Sequence, residues 1–153
     1  KELRAGISRL AEAAGIHHPP PLIYKMPPFI DLGTDRKRFE EMVEVIAEYG
    51  DGIAATNTLT NRSAKDRYKI ADDGGMSGNP LLDYALHTHE LIARTIESRH
   101  LKISFIALGG IMNRRDVNKV LMNRPAGIQL VSWLTRDGPI AIHQALQAVK
   151  AAR

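Results

Sequence analysis

Thr56-Asn57-Thr58 sets two hydroxyls and an amide in series at the end of an apolar run. An Asn side chain offers both a donor and an acceptor, which fits the edge of a cyclic imide or amide. The same residue types also make ordinary turns. Gly74-Gly75-Met76-Ser77-Gly78 and Gly109-Gly110 permit close backbone approach and expose N–H groups. The second pair stands just before a helical pattern, a natural seat for a phosphate. Either glycine stretch could equally be a simple turn. Lys25 lies inside Leu-Ile-Tyr-Lys-Met-Pro, and a charge within an apolar strand needs a partner or an opening. It reads as a cation beside an anionic ring or phosphate, or as an edge lysine reaching water. Ser132, near the end of a further apolar run, reads as a phosphate contact or as an unremarkable strand-end serine.

These residues need elements to place them. Leu3, Ile7, Leu10, Ala11 and Ala14 recur at helical spacing, so residues 1–14 read as an amphipathic helix that stops at Gly15. A stiff His-His-Pro-Pro-Pro connector leads to a strand over 22–26. A helix over 35–49 follows, with Phe39, Met42, Val43, Ile46 and Ala47 as its buried face and Thr34 or Asp35 as its cap. Residues 52–56 read as a buried strand and 59–79 as a long polar loop. Pro80 suits the first turn of a helix over 81–98. The remainder reads as strand 103–108, helix 114–123, strand 128–133 and helix 139–151, the last burying Ile142, Leu146 and Val149.

A leading helix and then four strand–helix units describe a parallel α/β sheet. A closed (β/α)8 TIM barrel takes about 250 residues, so four units make half of one. An open doubly wound sheet also fits this length. No single strand carries a dinucleotide fingerprint, and polar or glycine residues sit at the ends of all four strands. That distribution suits the ligand face of a barrel.

The chain has 153 residues, enough for one domain that buries roughly 70% of its unfolded surface. Zero cysteines exclude an internal disulfide or a thiolate metal site. The net charge of +4 favours anions such as phosphates. The basic residues are dispersed and aromatics are few, which argues against a nucleic-acid partner. No apolar run approaches the roughly 20 residues that cross a bilayer. The first residues do not read as a signal peptide. The chain begins at Lys1 without Met and runs almost directly into a helical pattern, which reads as a cut. His17, His18, His87, His89, His100 and His143 form no metal-ligand spacing, and they read as surface or internally bonded histidines. Arg36-Lys37-Arg38 and Arg114-Arg115 read as solvated charge at helix starts, and Trp133 as packing.

Taken in order, Tyr24-Lys25-Met26-Pro27, Thr56-Asn57-Thr58, Gly74-Gly75-Met76-Ser77-Gly78 with Pro80-Leu81, and Gly109-Gly110-Ile111 resemble the second half of dihydroorotate dehydrogenase, a flavin enzyme. Asn61-Arg62-Ser63 is more similar to the quinone-linked, membrane-associated class. The resemblance covers nearly all of the chain and implies one domain over 1–153, the carboxyl-terminal half of an FMN-binding barrel. It implies that Lys25 and Thr56 contact the flavin of FMN, and that Asn57 and Thr58 hold dihydroorotate or orotate. It further implies that Gly78, Gly109 and Gly110 let the backbone approach FMN, with Gly110 and Ser132 near its phosphate. The family pair on the last strand is usually Tyr followed by Thr or Ser, whereas this chain has Val131-Ser132. Ala107 replaces a glycine common in the family.

The implied activity is oxidation of (S)-dihydroorotate to orotate in de novo pyrimidine biosynthesis, with quinone as the electron acceptor. The catalytic serine of the quinone-linked class sits on a loop in the first half of the barrel, so no catalytic base is expected within this chain. The implied partners are that first half, the substrate and quinone. Membrane contact would come through an amino-terminal region, at the cytoplasmic side of a bacterial inner membrane or at the mitochondrial inner membrane. Two other readings stand beside it: a related FMN barrel acting on dihydropyrimidines, and a non-catalytic half-barrel whose open sheet edges favour association.

Overall fold

The computed structural model of the chain describes residues 2–30, 36–69, 71 and 73–152. Its elements alternate as the apolar patterning requires: α1 (Glu2–Ala13), β1 (Ile23–Met26), α2 (Arg36–Tyr49), β2 (Gly52–Ala55), α3 (Arg62–Arg67), α4 (Leu82–Ser98), β3 (Ser104–Ala107), α5 (Arg114–Leu121), β4 (Gly127–Ile128), α6 (Ser132–Asp137) and α7 (Ile140–Ala151). The four strands form one parallel sheet in the order β1-β2-β3-β4. Sequential order excludes the doubly wound alternative, whose strand order reverses. Crossovers of one hand then carry the connecting helices to one face of the sheet.

Alternation along the strands separates the two faces. Tyr24, Ile53 and Phe105 share a row, as do Met26, Ala55 and Ala107, and both rows join the core made with the helices. The intervening row is Lys25, Ala54, Ile106 and Gly127, on the opposite face. There Ile23 and Lys25 are exposed. The helical layer supplies Phe39, Val43, Ile92, Val117, Val120, Trp133 and Ala141 to the core.

Polar ties hold the elements at the correct depth. Arg4 pairs with Asp51, whose carboxylate also accepts the Leu22 N–H at 2.7 Å. Those two contacts, Arg4 first, hold the Asp51 carboxyl below its ordinary range. Thr88 Oγ1 accepts from Phe29 N–H at 2.8 Å and donates to Tyr84 C=O at 2.7 Å, so α4 grips the segment that leaves β1. Arg99 at the end of α4 pairs with Glu44 of α2 at 3.2 Å.

Several expectations from the sequence need correction. The run 128–133 is not one strand: β4 ends at Ile128, and Ser132 opens α6. One helical turn wins there because Trp133 Nε1 donates to Asp137 at 2.9 Å and Thr135 Oγ1 to the Val131 carbonyl at 3.0 Å, both i to i±4 contacts. The 59–79 segment is not structureless. Leu59 pairs with Met76, and α3 forms because Asn61 caps it by accepting from Ala64 N–H at 3.0 Å.

On α7 the inward residues are Ala141, Ala145 and Ala148, while Ile142 and Leu146 are exposed. Both sets have helical spacing, and the alanine side packs closer to α5 and α6. Met42 on α2 is 38% exposed, and Leu3 and Leu10 of α1 face outward rather than inward. The Thr34 or Asp35 cap of α2 lies outside the described residues. Among the described residues, no helix is long and apolar enough to cross a membrane.

The α5 start illustrates how a cap secures a loop. Asn113 Oδ1 accepts from Asp116 N–H at 3.1 Å, and Asp116 returns by accepting from Met112 N–H at 3.0 Å and Asn113 Nδ2 at 2.8 Å. Removing the cap with Asn113→Ala should lower stability by about 1 kcal/mol. Asn113→Asp should retain most of it, as read from urea midpoints with unchanged slopes.

Candidate functional site

Regular pairing of β2 with β3 ends at Ala55 opposite Ala107. Beyond it the chains stay joined for one more residue: Leu108 N–H donates to Ala55 C=O, and Thr56 N–H donates to Leu108 C=O at 2.6 Å. On the other side Asn57 N–H donates to Met26 C=O at 2.8 Å. The Thr56-Asn57-Thr58 tip is thus held to both neighbouring strands. The Ala55–Thr56 peptide is cis.

The glycine loop folds back onto that tip. Leu59 and Met76 exchange backbone hydrogen bonds of 3.1 and 2.8 Å. The space that a side chain on Gly75 would need is occupied by Thr58, so glycine there lets Thr58 and the loop meet. Lys65, buried on α3, donates from Nζ to Gly74 C=O at 2.9 Å and fixes the start of the loop.

The end of β3 is built as tightly. Gly109 has φ of +109° and Gly110 φ of +74°, a region in which side chains are strained. A Cβ on Gly109 would lie 2.6 Å from Thr56 Oγ1, and one on Gly110 would fall on the backbone of Leu82. The glycine pair therefore sets how closely β3 approaches Thr56 and the start of α4. Arg136 of α6 donates from Nη2 to Met112 C=O at 3.0 Å, joining α6 to the same loop. Its neighbour Asp137 is held below the ordinary carboxylate range, chiefly by Arg136 and further by Trp133.

These walls enclose a concavity of about 190 Å³ at the carboxyl ends of the strands. It is lined by Lys25, Thr56, Asn57, Thr58, Ser77, Leu81, Leu108, Gly109, Gly110, Ile111, Gln129, Val131 and Ser132. Every site residue expected from the sequence is in this wall except Gly78, which opens the 3₁₀ turn Asn79–Leu81 instead. Lys25 is exposed toward it from the open face of the sheet. Ser132 arrives as the first residue of α6 rather than as a strand end. Val131, which the resemblance sets where a Tyr is expected, is 61% exposed.

Two further members were legible only in part. Ser77 stood within the glycine motif without a role of its own, and Gln129 carried no signal because a glutamine after a strand is commonplace. No carboxylate or imidazole is among the lining residues. The wall holds no ordinary proton acceptor of its own.

Among the described residues, two buried side-chain polar atoms have no partner: Thr56 Oγ1 and His89 Nδ1. A buried hydroxyl without a bond is costly, and Thr56, whose Oγ1 is one, is a residue of the concavity's wall. His89, fully buried on α4, places Nε2 2.8 Å from Ala55 C=O and 3.2 Å from Leu108 C=O. Both partners only accept, so Nε2 carries the hydrogen. Burial holds the imidazole below its ordinary value of 6.5, against a smaller opposing effect of the two carbonyls. His87, on the same helix, is exposed and leans on Phe29. Helical spacing distinguishes them: Leu82, Ala85, His89 and Ile92 form the buried stripe.

The family model of dihydroorotate dehydrogenase matches residues 2–152. The chain is 31% identical over 150 residues to the dihydroorotate dehydrogenase (quinone) of Neisseria meningitidis serogroup C / serotype 2a, covering 96% of this chain and 43% of that protein. It is 36% identical over 126 residues to the protein of the same name from Chloroflexus aurantiacus, covering 80% of this chain and 33% of that one. Among solved structures, DHODH from Eimeria tenella in complex with ferulenol superposes with a TM-score of 0.71 at 22% identity, over 86% of this chain and 33% of that one. The ligand-free form of the Eimeria tenella protein gives 0.70 at 23% identity, over 85% and 35%. The fold of this chain is thus that of part of these barrels. The chain spans about two fifths of the length of the first of these curated relatives.

Two outcomes follow from the geometry. Gly110→Ala sets a Cβ against the Leu82 backbone at a left-handed φ, and should cost roughly 2–4 kcal/mol in urea unfolding. His89 is neutral in the fold at pH values where the unfolded imidazole is already charged. Between 6.5 and its depressed native value the unfolded chain therefore binds the extra proton. Stability should fall as pH drops through about 6.5 and level off below the native value. His89→Gln should flatten that slope when unfolding is measured across the same pH series.

Proposed function

The chain belongs to the dihydroorotate dehydrogenase family, and from that premise we propose that residues 1–153 form the carboxyl-terminal half of an FMN-binding (β/α)8 barrel. Within the complete protein this half serves the oxidation of (S)-dihydroorotate to orotate in pyrimidine biosynthesis, with quinone as the final acceptor. One observation carries the reading. Lys25, Thr56, Asn57, Thr58, Gly109, Gly110 and Ser132 converge on one concavity at the strand ends, with the Thr56 hydroxyl buried and unpartnered in its wall.

The residues fit a flavin mononucleotide and a cyclic imide. Bound there, FMN supplies a two-electron acceptor for the hydride leaving the dihydroorotate ring. Lys25, which has no ion-pair partner among the described residues, offers a fixed positive charge to an electron-rich ring. Thr56 offers a hydroxyl to the same ring. Asn57 presents a donor and an acceptor to the imide edge of the substrate, and Thr58 adds a hydroxyl. Gly109, Gly110 and Ser132 offer N–H groups and a hydroxyl to a phosphate. Gly78 contributes through the turn that precedes α4 rather than through the wall.

The proton acceptor for the substrate carbon comes from the other half of the barrel, which is also the partner of the open sheet edges. Membrane contact, proposed for the quinone-linked class, is a property of the complete protein.

The decisive test is the visible absorbance of the purified complete protein under anaerobic conditions. Bound FMN that bleaches on adding dihydroorotate supports the reading. Absence of flavin, or bleaching by dihydrouracil and not by dihydroorotate, overturns it. Lys25→Ala should slow flavin reduction by roughly 10- to 100-fold while leaving the thermal midpoint unchanged. Parallel losses of rate and midpoint would instead assign Lys25 a structural role.

A further inference from the structure

The buried stripe of α4 is Leu82, Ala85, His89 and Ile92, and an apolar residue at the third position would complete it. The imidazole there costs desolvation, and its Nδ1 finds no partner. Core stability alone does not account for it, because a leucine would fill the same stripe without an unpaired nitrogen.

What the imidazole does make is specific. Its Nε2–H lies 2.8 Å from Ala55 C=O and 3.2 Å from Leu108 C=O. These are the carbonyls of the peptide groups that begin Thr56 and Gly109. Their other lone pairs already take part in the last cross-strand bonds, from Leu108 N–H and Thr56 N–H. One donor on α4 therefore grips two peptide planes, at the point where regular pairing of β2 and β3 has stopped.

We propose that His89 is a positioning residue: by tying the tips of β2 and β3 together it fixes the separation of the Thr56 hydroxyl from the Gly109–Gly110 backbone. It touches no ligand. Its effect on FMN rests on the site reading above, whereas the tie itself does not. A glutamine can extend an N–H toward the same carbonyls, and a leucine cannot.

The experiment compares the complete wild-type protein with His89→Leu and His89→Gln. Amide hydrogen exchange is measured without added flavin on peptides spanning the ends of β2 and β3, with FMN affinity of the stripped protein and thermal midpoint alongside. His89→Leu should speed exchange at Thr56 and Leu108 and weaken FMN binding, each by about five- to tenfold. Its thermal midpoint should not fall. His89→Gln should restore both exchange and affinity toward wild type.

Unchanged exchange in His89→Leu overturns the proposal. So does a glutamine variant that behaves like leucine, or a loss of affinity that merely follows a lowered midpoint. If the wild-type protein takes up no FMN, the flavin reading fails, and the exchange comparison still decides the tie. Should His89→Leu not fold, His89→Met, unbranched and equally without a donor, replaces it.

Discussion

The four residues of β2, Gly52–Ala55, are wholly buried and bond to a parallel strand on each side. Each proposed ligand group is placed relative to where that pairing stops. Small side chains make this geometry available: Ala54 shares a row with Lys25 and Ile106, and Gly52, on the same face, shares one with Ile23 and Ser104, so that face of the strand stays shallow. A larger residue at Ala54 would fill the space between Lys25 and its neighbours. Because the strand ends together with β1 and β3, the next residues of the three chains form one rim, and Thr56 and Asn57 are anchored to both flanks of it.

The rim is stiffened from behind. α4 reaches forward twice, with Thr88 holding the segment after β1 and His89 lying against the tips of β2 and β3. α5 secures the glycine-pair loop through its Asn113–Asp116 cap, and α6 reaches the same loop through Arg136. The site is therefore assembled by helices whose apolar faces form the core, through a few polar side chains that reach the strand ends. This arrangement allows a polar wall at the strand ends to coexist with an apolar interior one residue deeper, where Ala55 and Ala107 are fully buried.

Most of this was legible in the sequence, for physical reasons. Continuous apolar runs flanked by helical periodicity located β1, β2 and β3 to within one or two residues, and polar tips after those runs located the wall. What was hidden depended on tertiary contacts. Val131-Ser132 continues an apolar run, and the side-chain contacts Trp133–Asp137 and Thr135–Val131 accompany its turn into a helix. On α7 the alanine and the large-residue faces share one spacing, so periodicity could not say which was inside. His89 was read together with His87 as an ordinary histidine. Its significance comes from two carbonyls far away in the chain, which no local pattern encodes.

The same ambiguity on α7 has a structural meaning. Its exposed Ile142 and Leu146 border a groove of about 620 Å³ along β4, and exposed Met42 and Val45 of α2 border another of about 610 Å³ beside the segment that leaves β1. β4 and β1 are the two edges of the sheet, where backbone groups lack a neighbouring strand among the described residues. Apolar side chains on edge helices and unpaired strand edges are what closure of a barrel would cover together. Apolar grooves toward both sides of the sheet, with a polar wall at the strand ends between them, are the features that support the proposed pairing with the other half of a barrel.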